Sequence, residues 1–465
     1  MVFTSTVFLG LFLPLLFAVY FLANAAARPY VLLVFSILFY AWGEPTAVVV
    51  MIALMVLNYL LALGIAALGN RRAATALLVL AVASDLGALV AYKYLGFLAA
   101  NLLPLCRLVG VEFAVPSIAL PIGISFYVFQ IISYVVDVRR GDVAVQRNPF
   151  KFMLYVSLFP QLIAGPIVRY QTIAADIENR AADFGNIIAG IRRFSVGLAK
   201  KVLVADTMAT VADAVFAAKT GEIPCAYAWL GAVAYTLQIY FDFSGYSDMA
   251  IGLGRVFNFR FLENFDHPYC ARSVQEFWRR WHISLSTWFR DYLYIPLGGN
   301  RKGALRTYCN MFTVFLLCGI WHGAAWTFVA WGVYHGLGLV IERAGFGNVI
   351  RRLPKVVGNA YLLLFVIVGW VIFRAPDLGY ACGYLADMFG GAEAPFKSFI
   401  GSMRFVSLDR LIVLAVGILV SYPVFDPLVR RVPEAVRLVV VGLAFVAVWT
   451  IAMTSAYSPF IYFRF

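Results

Sequence analysis

The sequence predicts an all-α polytopic membrane protein, and three observations lead to that fold class. Hydrophobic residues make up 63% of the 465 residues and charged residues only 13%, whereas a soluble domain has about 45–50% and about 25%. Apolar runs of about 20 residues, the length of a membrane-spanning helix, recur along the chain. The polar stretches between them are too short to form a soluble domain. We therefore expect a single membrane domain over residues 1–465.

The apolar runs predict about eleven spanning helices, together with re-entrant or interfacial helices, in contact with the lipid bilayer. The runs cover residues 3–22, 29–42, 46–68, 74–98, 117–136, 226–256, 305–321, 324–341, 356–373, 411–423 and 436–453. We expect N-terminal spans over residues 1–116, a core that carries the polar motifs over residues 117–343, and C-terminal spans over residues 344–465.

The positions of the basic residues predict the orientation of the chain. Short loops rich in Lys and Arg tend to stay in the cytoplasm. Arg28, the pair Arg71 and Arg72, and the pair Arg139 and Arg140 alternate with loops that are poor in basic residues. Assigning these groups to the cytoplasm leaves the N-terminus outside. The net charge of +13 therefore does not indicate nucleic-acid binding, because no basic groove with stacking aromatic side chains accompanies it.

Residues 152–167 are apolar but too short for an ordinary span, and they contain Pro160, Gly165 and Pro166. Basic residues flank the segment on both sides, so we expect it to enter the membrane and return. Irregular backbone at membrane depth is tolerated where it lines a cavity or is buried in protein. Gln161 is therefore a candidate cavity residue. A Pro-kinked spanning helix is the alternative.

Residues 260–302 combine many arginines with many aromatic residues. A capping box of Ser273 and Glu276 predicts the start of a half-buried amphipathic or re-entrant helix over residues 274–291. The alternative is an interfacial helix that lies flat on the membrane. Neither the six cysteines, which form no CxxC pair, nor any other cluster predicts a metal site. The candidate donor-binding or tunnel residues of this segment are Trp278, Arg279, Arg280, Trp281, Arg290 and Asp291.

A polar cluster interrupts the apolar run 226–256, where Tyr240, Asp242, Tyr246 and Asp248 follow one another closely. Carboxylates within a membrane helix normally face the protein interior or water. They could hold a catalytic arginine or histidine. The alternative, which we favour slightly, is that they only neutralise the arginines of residues 260–302 in buried ion pairs.

Two of the four histidines are the candidate catalytic residues, because an imidazole at membrane depth is costly and usually functional. His322 follows Trp321, a further candidate donor-binding or tunnel residue, at the end of an apolar run. It lies about 24 Å along the helix from Arg306, beyond the bilayer midplane. His282 follows the arginine-rich aromatic block. His335 is expected to point elsewhere, and ordinary buried histidines without a function are the alternative for both candidates.

A buried histidine can act as the general base for a hydroxyl group that attacks an activated acyl carbon. The chain has no P-loop, dinucleotide fingerprint or HExxH motif at these positions. Ser284 and Ser286 lie near His282 but have no GxSxG context. Direct base-assisted transfer is therefore favoured over a serine acyl-enzyme. In this hypothesis His322 is the base, and His282 or nearby donors stabilise the oxyanion.

Five motifs follow one another along the chain: LPIGISFY at 120–127, FPQLIAGP at 159–166, YFDFSGYSD at 240–248, EFWRRWHISLSTW at 276–288 and WHG at 321–323. In this order they closely resemble the membrane-bound O-acyltransferase family, above all its members that O-acetylate bacterial polysaccharides such as alginate. The chain is also similar to the D-alanyl transferases of teichoic acids. The resemblance extends from residue 1 to at least residue 374.

The resemblance implies a ring of helices around a thin core that is crossed by a tunnel. It makes His322 the catalytic histidine and His282 the second site histidine. It implies no bound cofactor, but an acyl thioester donor, acetyl-CoA or an acyl carrier protein, that enters from the cytoplasm. It also implies a multi-pass protein of the bacterial inner membrane with a periplasmic N-terminus and an extracytoplasmic acetyltransferase partner. The sequence departs from the family at Asp266 and His267, so we assign His267 no role.

Three other functions remain open on the sequence. The acyl group could be D-alanyl or another group that is transferred to a cell-wall polymer. A transporter or flippase could use the intramembrane Asp and His residues as a proton relay. Transporters usually contain paired repeats, and no second copy of the polar motifs occurs here, which counts against that function. A membrane scaffold without catalytic activity is the weakest alternative.

Overall fold

Every regular element that the structure describes is helical, which confirms the predicted all-α class. The structure is a computed structural model, and it describes residues 1–116, 118–178, 182–391, 406–454 and 460–461. The chain divides into two compact units. The first comprises Met1–Phe194 and Ser247–Leu262, and the second comprises Ser195–Tyr246 and Glu263–Phe465.

Among the described residues before residue 200 there are ten helices, and two π-helical turns, Phe8–Phe12 and Val90–Tyr94, extend or join them. The ten helices are α1 (Leu13–Leu22), α2 (Arg28–Gly43), α3 (Ala47–Leu68), α4 (Arg72–Leu89), α5 (Leu95–Leu108), α6 (Ile124–Arg140), α7 (Pro149–Ser157), α8 (Phe159–Leu162), α9 (Tyr170–Glu178) and α10 (Phe184–Ala199).

The rest of the chain adds further helices, with π-helical turns at Lys200–Ala205, Arg290–Tyr294 and Glu342–Phe346. These helices are α11 (Asp206–Phe216), α12 (Cys225–Val256), α13 (Val274–Arg280), α14 (Ile283–Phe289), α15 (Ala304–His322), α16 (Trp326–Ile341), α17 (Gly347–Arg352), α18 (Lys355–Arg374), α19 (Leu378–Met388), α20 (Leu408–Val420), α21 (Asp426–Arg431) and α22 (Glu434–Thr454).

Five helices in the described part of the chain are long and apolar enough to cross a membrane. They are Ala47–Leu68, Arg72–Leu108, Ala304–His322, Lys355–Arg374 and Glu434–Thr454. Two shorter apolar helices, Phe8–Leu22 and Arg28–Gly43, accompany them. The chain is thus a membrane protein, whereas the number of eleven spans stays a prediction. Most of the apolar run 117–136 lies in α6, which begins at Ile124, and position 117 lies outside the described residues.

Residues 152–167 do not form one kinked helix. The backbone leaves the helical region at Leu158, with φ of −52° and ψ of 109°, and the short helix α8 ends four residues later. Aromatic side chains surround α8, because the Phe159 ring lies 5.4 Å from Phe39 and 5.6 Å from Phe12. The backbone of this buried segment is broken twice, so it agrees better with the predicted irregular segment than with the alternative of a Pro-kinked spanning helix. Its depth in the membrane stays a prediction.

In the second unit, α15 and α16 form a tightly packed helical hairpin. A Cβ on Gly319 would lie 2.4 Å from the carbonyl oxygen of Phe328 and 2.8 Å from Cα of Gly332. Just beyond α15, a Cβ on Gly323 would lie 2.2 Å from the Phe328 ring. Small residues let membrane helices approach closely. The glycines therefore fix the point at which the chain turns back, immediately after His322.

The predicted continuous helix over residues 274–291 is wrong. Its start is correct, because the hydroxyl of Ser273 accepts a hydrogen bond from the backbone N–H of Glu276 at 3.1 Å. The helix ends at Arg280, and a second helix begins at Ile283. Between them the backbone of His282 adopts a left-handed conformation with φ of 44°. The arginine-rich segment is therefore two short helices with a histidine at the break.

Candidate active site

His322 is the last residue of α15 and is 5% exposed. Two aromatic rings meet its imidazole edge-on: Trp331 of α16 at a centroid distance of 5.1 Å, and Phe373 of α18 at 5.3 Å. The preceding indole, Trp321, lies 5.0 Å away. Aromatic packing from three helices thus holds the imidazole at the turn of the α15–α16 hairpin.

His282 is fully buried, and Asn264 fixes its orientation. Its Nδ1 lies 3.2 Å from Oδ1 of Asn264. The same oxygen accepts hydrogen bonds from the backbone N–H and from the hydroxyl of Ser284, at 3.2 and 2.9 Å. Because a backbone N–H can only donate, the atom that it meets is an acceptor, and Nδ1 of His282 must carry the hydrogen. The remaining lone pair of the ring is therefore on Nε2.

The environment of His282 also determines its charge. Burial lowers the pKa of His282 to about 3, so the imidazole is neutral at physiological pH. The ring of Phe243 meets it at 4.7 Å, nearly perpendicular. A neutral imidazole with its lone pair on Nε2 can accept a proton or a hydrogen bond from a reacting group.

The two candidate catalytic histidines both contact one indole. The ring centroid of Trp321 is 6.3 Å from that of His282 and 5.0 Å from that of His322. Residues from the break between α13 and α14 and from the end of α15 are thus brought together, as the catalytic hypothesis requires. Trp321 was itself a predicted site residue.

A third histidine belongs to the same aromatic cluster, contrary to the expectation that it points elsewhere. His335 is fully buried, and its ring lies 4.6 Å from Trp331, the residue that also contacts His322. Its Nδ1 accepts a hydrogen bond from the indole N–H of Trp278 at 3.2 Å. His335 therefore positions Trp278 and ties α13 to α16. The expectation failed because it considered only the helix spacing.

Two neighbouring cavities lie beside the arginine-rich helices. The first has a volume of about 660 Å³, and four arginines line it: Arg272, Arg279, Arg343 and Arg351. The second, of about 560 Å³, is lined by Trp278, Phe289, Arg290, Tyr294 and Cys318, among others. The two cavities share the lining residues Gln275, Arg279, Met311, Leu339 and Arg343. A cationic cavity thus adjoins a more apolar one.

Three other predicted residues of the segment 260–302 form ion pairs. Arg280 forms ion pairs with Glu276 at 3.2 Å and with Asp266 at 3.3 Å. Arg290 pairs with its neighbour Asp291 at 2.6 Å. Arg280 and Asp291 line neither of the two cavities, whereas Arg290 lines the second. Of the predicted donor-binding residues, Trp278, Arg279 and Arg290 are therefore the ones placed beside open space.

Trp281 and Tyr240 lie in a buried aromatic stack. The Trp281 ring packs against Phe277 at 5.5 Å and Trp370 at 4.9 Å, and it is 6.1 Å from Tyr240. Tyr240 also contacts Tyr269 at 5.1 Å. Neither Trp281 nor Tyr240 lines either cavity. Their ring contacts hold the end of α13 in place next to the break at His282.

Asp242 is neutralised by a lysine and not, as we favoured, by the arginines of residues 260–302. Nζ of Lys201 lies 2.6 Å from Asp242 and 2.7 Å from Asp206. The second oxygen of Asp242 accepts a hydrogen bond from the backbone N–H of Ile461 at 2.7 Å. The prediction that buried ion pairs neutralise these carboxylates was therefore correct, and the predicted partners were wrong.

Asp248 pairs with Arg193 of α10 at 2.8 Å, again outside the predicted arginines. Tyr246 packs edge-on against the ring of Phe460 at 4.8 Å. The predicted partners were wrong because α10 supplies Arg193 and the π-helical turn that follows α10 supplies Lys201. Sequence separation alone does not indicate which helix packs against α12.

Gln161 lies in the first unit, where its amide nitrogen donates to the carbonyl oxygen of Tyr155 at 2.6 Å. This hydrogen bond holds the short helix α8 against α7. Sequence reasoning missed Asn264, which lies in an irregular segment without a motif of its own. Only the tertiary structure places it beside His282.

A sequence model of the MBOAT, membrane-bound O-acyltransferase family, matches residues 124–383, which is more than half of the chain. The matched region contains the helices that carry His282 and His322.

Three relatives match over most of the chain. A probable alginate O-acetylase of Pseudomonas putida is 43% identical over 491 residues, which cover 100% of both chains. A probable alginate O-acetylase of Azotobacter vinelandii is 48% identical over 394 residues, 84% of this chain and 78% of the relative. A peptidoglycan O-acetyltransferase of Helicobacter pylori is 36% identical over 426 residues, 84% of this chain and 80% of the relative.

Proposed function

The chain belongs to the membrane-bound O-acyltransferase family, and from this we propose that it is an O-acetyltransferase for a bacterial exopolysaccharide such as alginate. It is a membrane enzyme that transfers an acyl group to an oxygen atom. Two of its relatives are named as alginate O-acetylases, and a third is named as a peptidoglycan O-acetyltransferase. The polysaccharide substrate and the acetyl group are the parts of the proposal that rest on those names.

The contact of two buried histidines with the same indole, Trp321, carries the proposal. We propose that His322 removes the proton from the acceptor hydroxyl as its oxygen attacks the carbonyl carbon of the thioester. The new C–O bond replaces the C–S bond, and the departing sulfur takes up the proton. No acyl-enzyme is needed, because both substrates react directly.

The tautomer of His282 changes the role that the sequence suggested for it. With the Nδ1 hydrogen donated to Asn264, the neutral ring has no further hydrogen to donate to an oxyanion. We therefore propose that Nε2 accepts a hydrogen bond from the acyl acceptor and orients it, while other donors stabilise the developing negative charge. His282 is then a positioning residue for the acceptor, and His322 is the base.

The two cavities support a donor site for acetyl-CoA. Both fall within the volume range of ordinary ligand pockets, about 300–1,000 Å³. Arginine is well suited to bind phosphate, so the cavity with four arginines fits the phosphates of the nucleotide. The adjoining, more apolar cavity fits the pantetheine arm. An acyl carrier protein is the other possible donor, and it would present only a single phosphate.

We further propose a bacterial inner-membrane location with the donor side in the cytoplasm and the N-terminus in the periplasm. The basic loops support this orientation. The acceptor hydroxyl in this proposal belongs to a separate extracytoplasmic acetyltransferase, which carries the acetyl group away on the outer side as an ester and passes it to the polysaccharide. Reporter fusions at residues 1 and 70 test the orientation, and the same sidedness for both fusions would contradict it.

The first test replaces His322 by alanine. We expect loss of polysaccharide O-acetylation while the protein remains in the membrane at normal abundance. His267→Ala is the matched control, because that histidine is partly exposed beside Asp266 and has no proposed role. Normal O-acetylation by His322→Ala would refute the assignment of the base.

The donor is tested with purified enzyme and acetyl-CoA. Arg343 lines both cavities, so Arg343→Gln should raise the KM for acetyl-CoA and leave kcat nearly unchanged. Arg301→Gln provides a surface control, because that residue is exposed and lines neither cavity. Equal KM values for acetyl-CoA in Arg343→Gln and Arg301→Gln would exclude the arginine cavity as the donor site.

Two alternatives make different predictions in the same assay. A D-alanyl transferase would not release CoA from acetyl-CoA, but would use an aminoacylated carrier protein. A transporter with a proton relay would consume no thioester at all in detergent, where no gradient exists. Release of CoA by purified enzyme in detergent, with a hydroxyl acceptor present, would exclude both.

A further inference from the structure

A second polar cluster lies in the first unit and contains none of the candidate catalytic residues. Asp85 of α4 and Asn58 of α3 are both 0% exposed, although both lie in helices apolar enough to span the membrane. The amide nitrogen of Asn58 donates to Oδ1 of Asp85 at 2.7 Å and to the carbonyl oxygen of Leu54 at 3.0 Å. This contact joins two spans through a buried carboxyl group.

The cluster is incompletely satisfied. Oδ2 of Asp85 and Oδ1 of Asn58 are buried and accept no hydrogen bond from any residue that the structure describes. Buried polar atoms are nearly always hydrogen-bonded, and exceptions require a water molecule, an ion or a proton. The carboxyl group of Asp85 and the amide of Asn58 therefore lack a hydrogen-bond donor.

Two buried tyrosine hydroxyls, those of Tyr127 and Tyr40, lie near this cluster and the end of α2, and neither hydroxyl has a hydrogen-bond partner among the residues that the structure describes. Tyr127 of α6 is fully buried, and its hydroxyl lies within electrostatic reach of Asp85 and beside the hydroxyl of Tyr40. Tyr40 in turn lies within electrostatic reach of Glu44, which is half-buried just beyond the end of α2. Each of the four groups Asp85, Tyr127, Tyr40 and Glu44 is thus within electrostatic reach of the next.

No positive charge compensates Asp85 among the described residues of the unit. The nearest cation along its helix, Lys93, lies about two turns further on and donates to the hydroxyl of Ser125 at 3.2 Å. Tyr92, in the same π-helical turn as Lys93, lies within electrostatic reach of Tyr127 and carries no positive charge. An isolated carboxylate at membrane depth is costly, and such groups normally bind a proton instead.

We propose that Asp85 is an intramembrane proton-binding site and that Tyr127 and Tyr40 exchange its proton with water at Glu44. The bound proton supplies the O–H donor that the two unsatisfied acceptor oxygens lack. A metal ion fits less well, because the cluster offers only a few oxygen atoms and hard cations take about six or more. This proton path is separate from the acyl-transfer proposal and does not depend on it.

Infrared spectroscopy of the purified protein in lipid bilayers tests the proposal. We expect a C=O band of a protonated carboxyl group at neutral pH, a shift of that band in D₂O, and its loss in Asp85→Asn. Tyr127→Phe should slow the D₂O shift at least about tenfold, which corresponds to a barrier higher by about 1.4 kcal/mol, because the proton then has no hydroxyl group at this position to pass through. Tyr134→Phe is the matched control, since Tyr134 is equally buried in the same helix and contacts Gln146 instead.

A second measurement on the unaltered protein remains informative even if Asp85→Asn does not fold. A hydrophobic carbodiimide reacts with protonated carboxyl groups within membranes, and mass spectrometry should find its adduct on Asp85 but not on Glu44. Absence of both the adduct and the band would overturn the proposal. Loss of the band on adding NaCl would show a bound sodium ion instead. An equal D₂O rate in Tyr127→Phe and Tyr134→Phe would overturn the path through the tyrosines.

Discussion

Replacing Asn264 by alanine should disable the enzyme by releasing His282. The side-chain oxygen of Asn264 serves three donors: Nδ1 of His282, and the backbone N–H and the hydroxyl of Ser284. The Ser284 hydroxyl can rotate to another acceptor, but the other two donors are fixed in place. Without Asn264 the imidazole can move its hydrogen to Nε2, which removes the lone pair that the proposed reaction uses.

The expected loss is calculated from those two donors. A buried donor that loses its partner costs about 1–3 kcal/mol, so the variant should lose about 2–6 kcal/mol of folding stability. The catalytic effect comes from His282 alone. If the lost orientation of His282 raises the activation free energy by about 1–3 kcal/mol, kcat falls about 5- to 150-fold, since about 1.4 kcal/mol is tenfold in rate. KM for the thioester should change little, because Asn264 lines neither cavity.

The assay measures initial rates of acetyl transfer by purified variants, together with thermal unfolding in detergent. Asn310→Ala is the control, because Asn310 is another buried asparagine, which donates to Gly299 at 2.9 Å far from His282 in the chain. It should lose stability but keep kcat. Asn264→Asp adds a test of charge: a carboxylate beside His282 favours the imidazolium and should shift the pH–rate profile. An unchanged kcat in Asn264→Ala, or an equal loss in Asn310→Ala, would refute the positioning role.

Three further predictions concern stability. Gly319→Ala should destabilise the α15–α16 hairpin by about 1–3 kcal/mol, since the added Cβ would lie 2.4 Å from a carbonyl oxygen. Gly442→Ala is the control and should not lower the Tm, because a Cβ added there has no packing neighbour within 4 Å among the described residues. Equal effects of the two variants on the Tm would contradict the close packing. Lys201→Met should cost about 3–5 kcal/mol by leaving the Asp242 carboxylate buried, and adding Asp242→Asn should restore part of the Tm; a double variant less stable than Lys201→Met would contradict this. Burial lowers the pKa of His282 from its ordinary value of 6.5 to about 3, so its contribution to stability is complete above pH 6.5 and is lost as the pH falls toward 3; His282→Gln should flatten the Tm profile in that window, and an unchanged slope would contradict the burial.

The sequence predicts the fold class and the two histidines for physical reasons. Composition alone requires a membrane environment, and only helices satisfy the backbone of such apolar runs. His282 and His322 are recognisable because titratable groups are rare in these surroundings. The capping box at Ser273 is equally local, and its hydrogen bond to the N–H of Glu276 is present.

The partners of these groups could not be predicted from the sequence. Asp242 binds Lys201 and Asp248 binds Arg193, although the arginines of residues 260–302 are more numerous. The choice depends on which helix packs against α12. A Cβ on Gly245 of α12 would lie 2.8 Å from the carbonyl oxygen of Gly197, so α10 approaches α12 closely there. Local sequence patterns carry no information about such an approach between helices.

The break at His282 shows how the fold and the site depend on one residue, Asn264. A left-handed backbone at a residue other than glycine costs of order 1–3 kcal/mol and persists only where the surroundings enforce it. Here Asn264 enforces it twice, because its backbone oxygen accepts from Ile283 at 3.0 Å and its side-chain oxygen accepts from the N–H of Ser284 at 3.2 Å. These are the first two N–H groups of α14, which the cap residue His282 does not satisfy with its own side chain. A continuous helix would have satisfied both groups within the helix, but it would have given His282 a different orientation. The strained break therefore leaves the imidazole of His282 available to meet Asn264 and Trp321, and the side-chain oxygen that caps the helix also sets the tautomer.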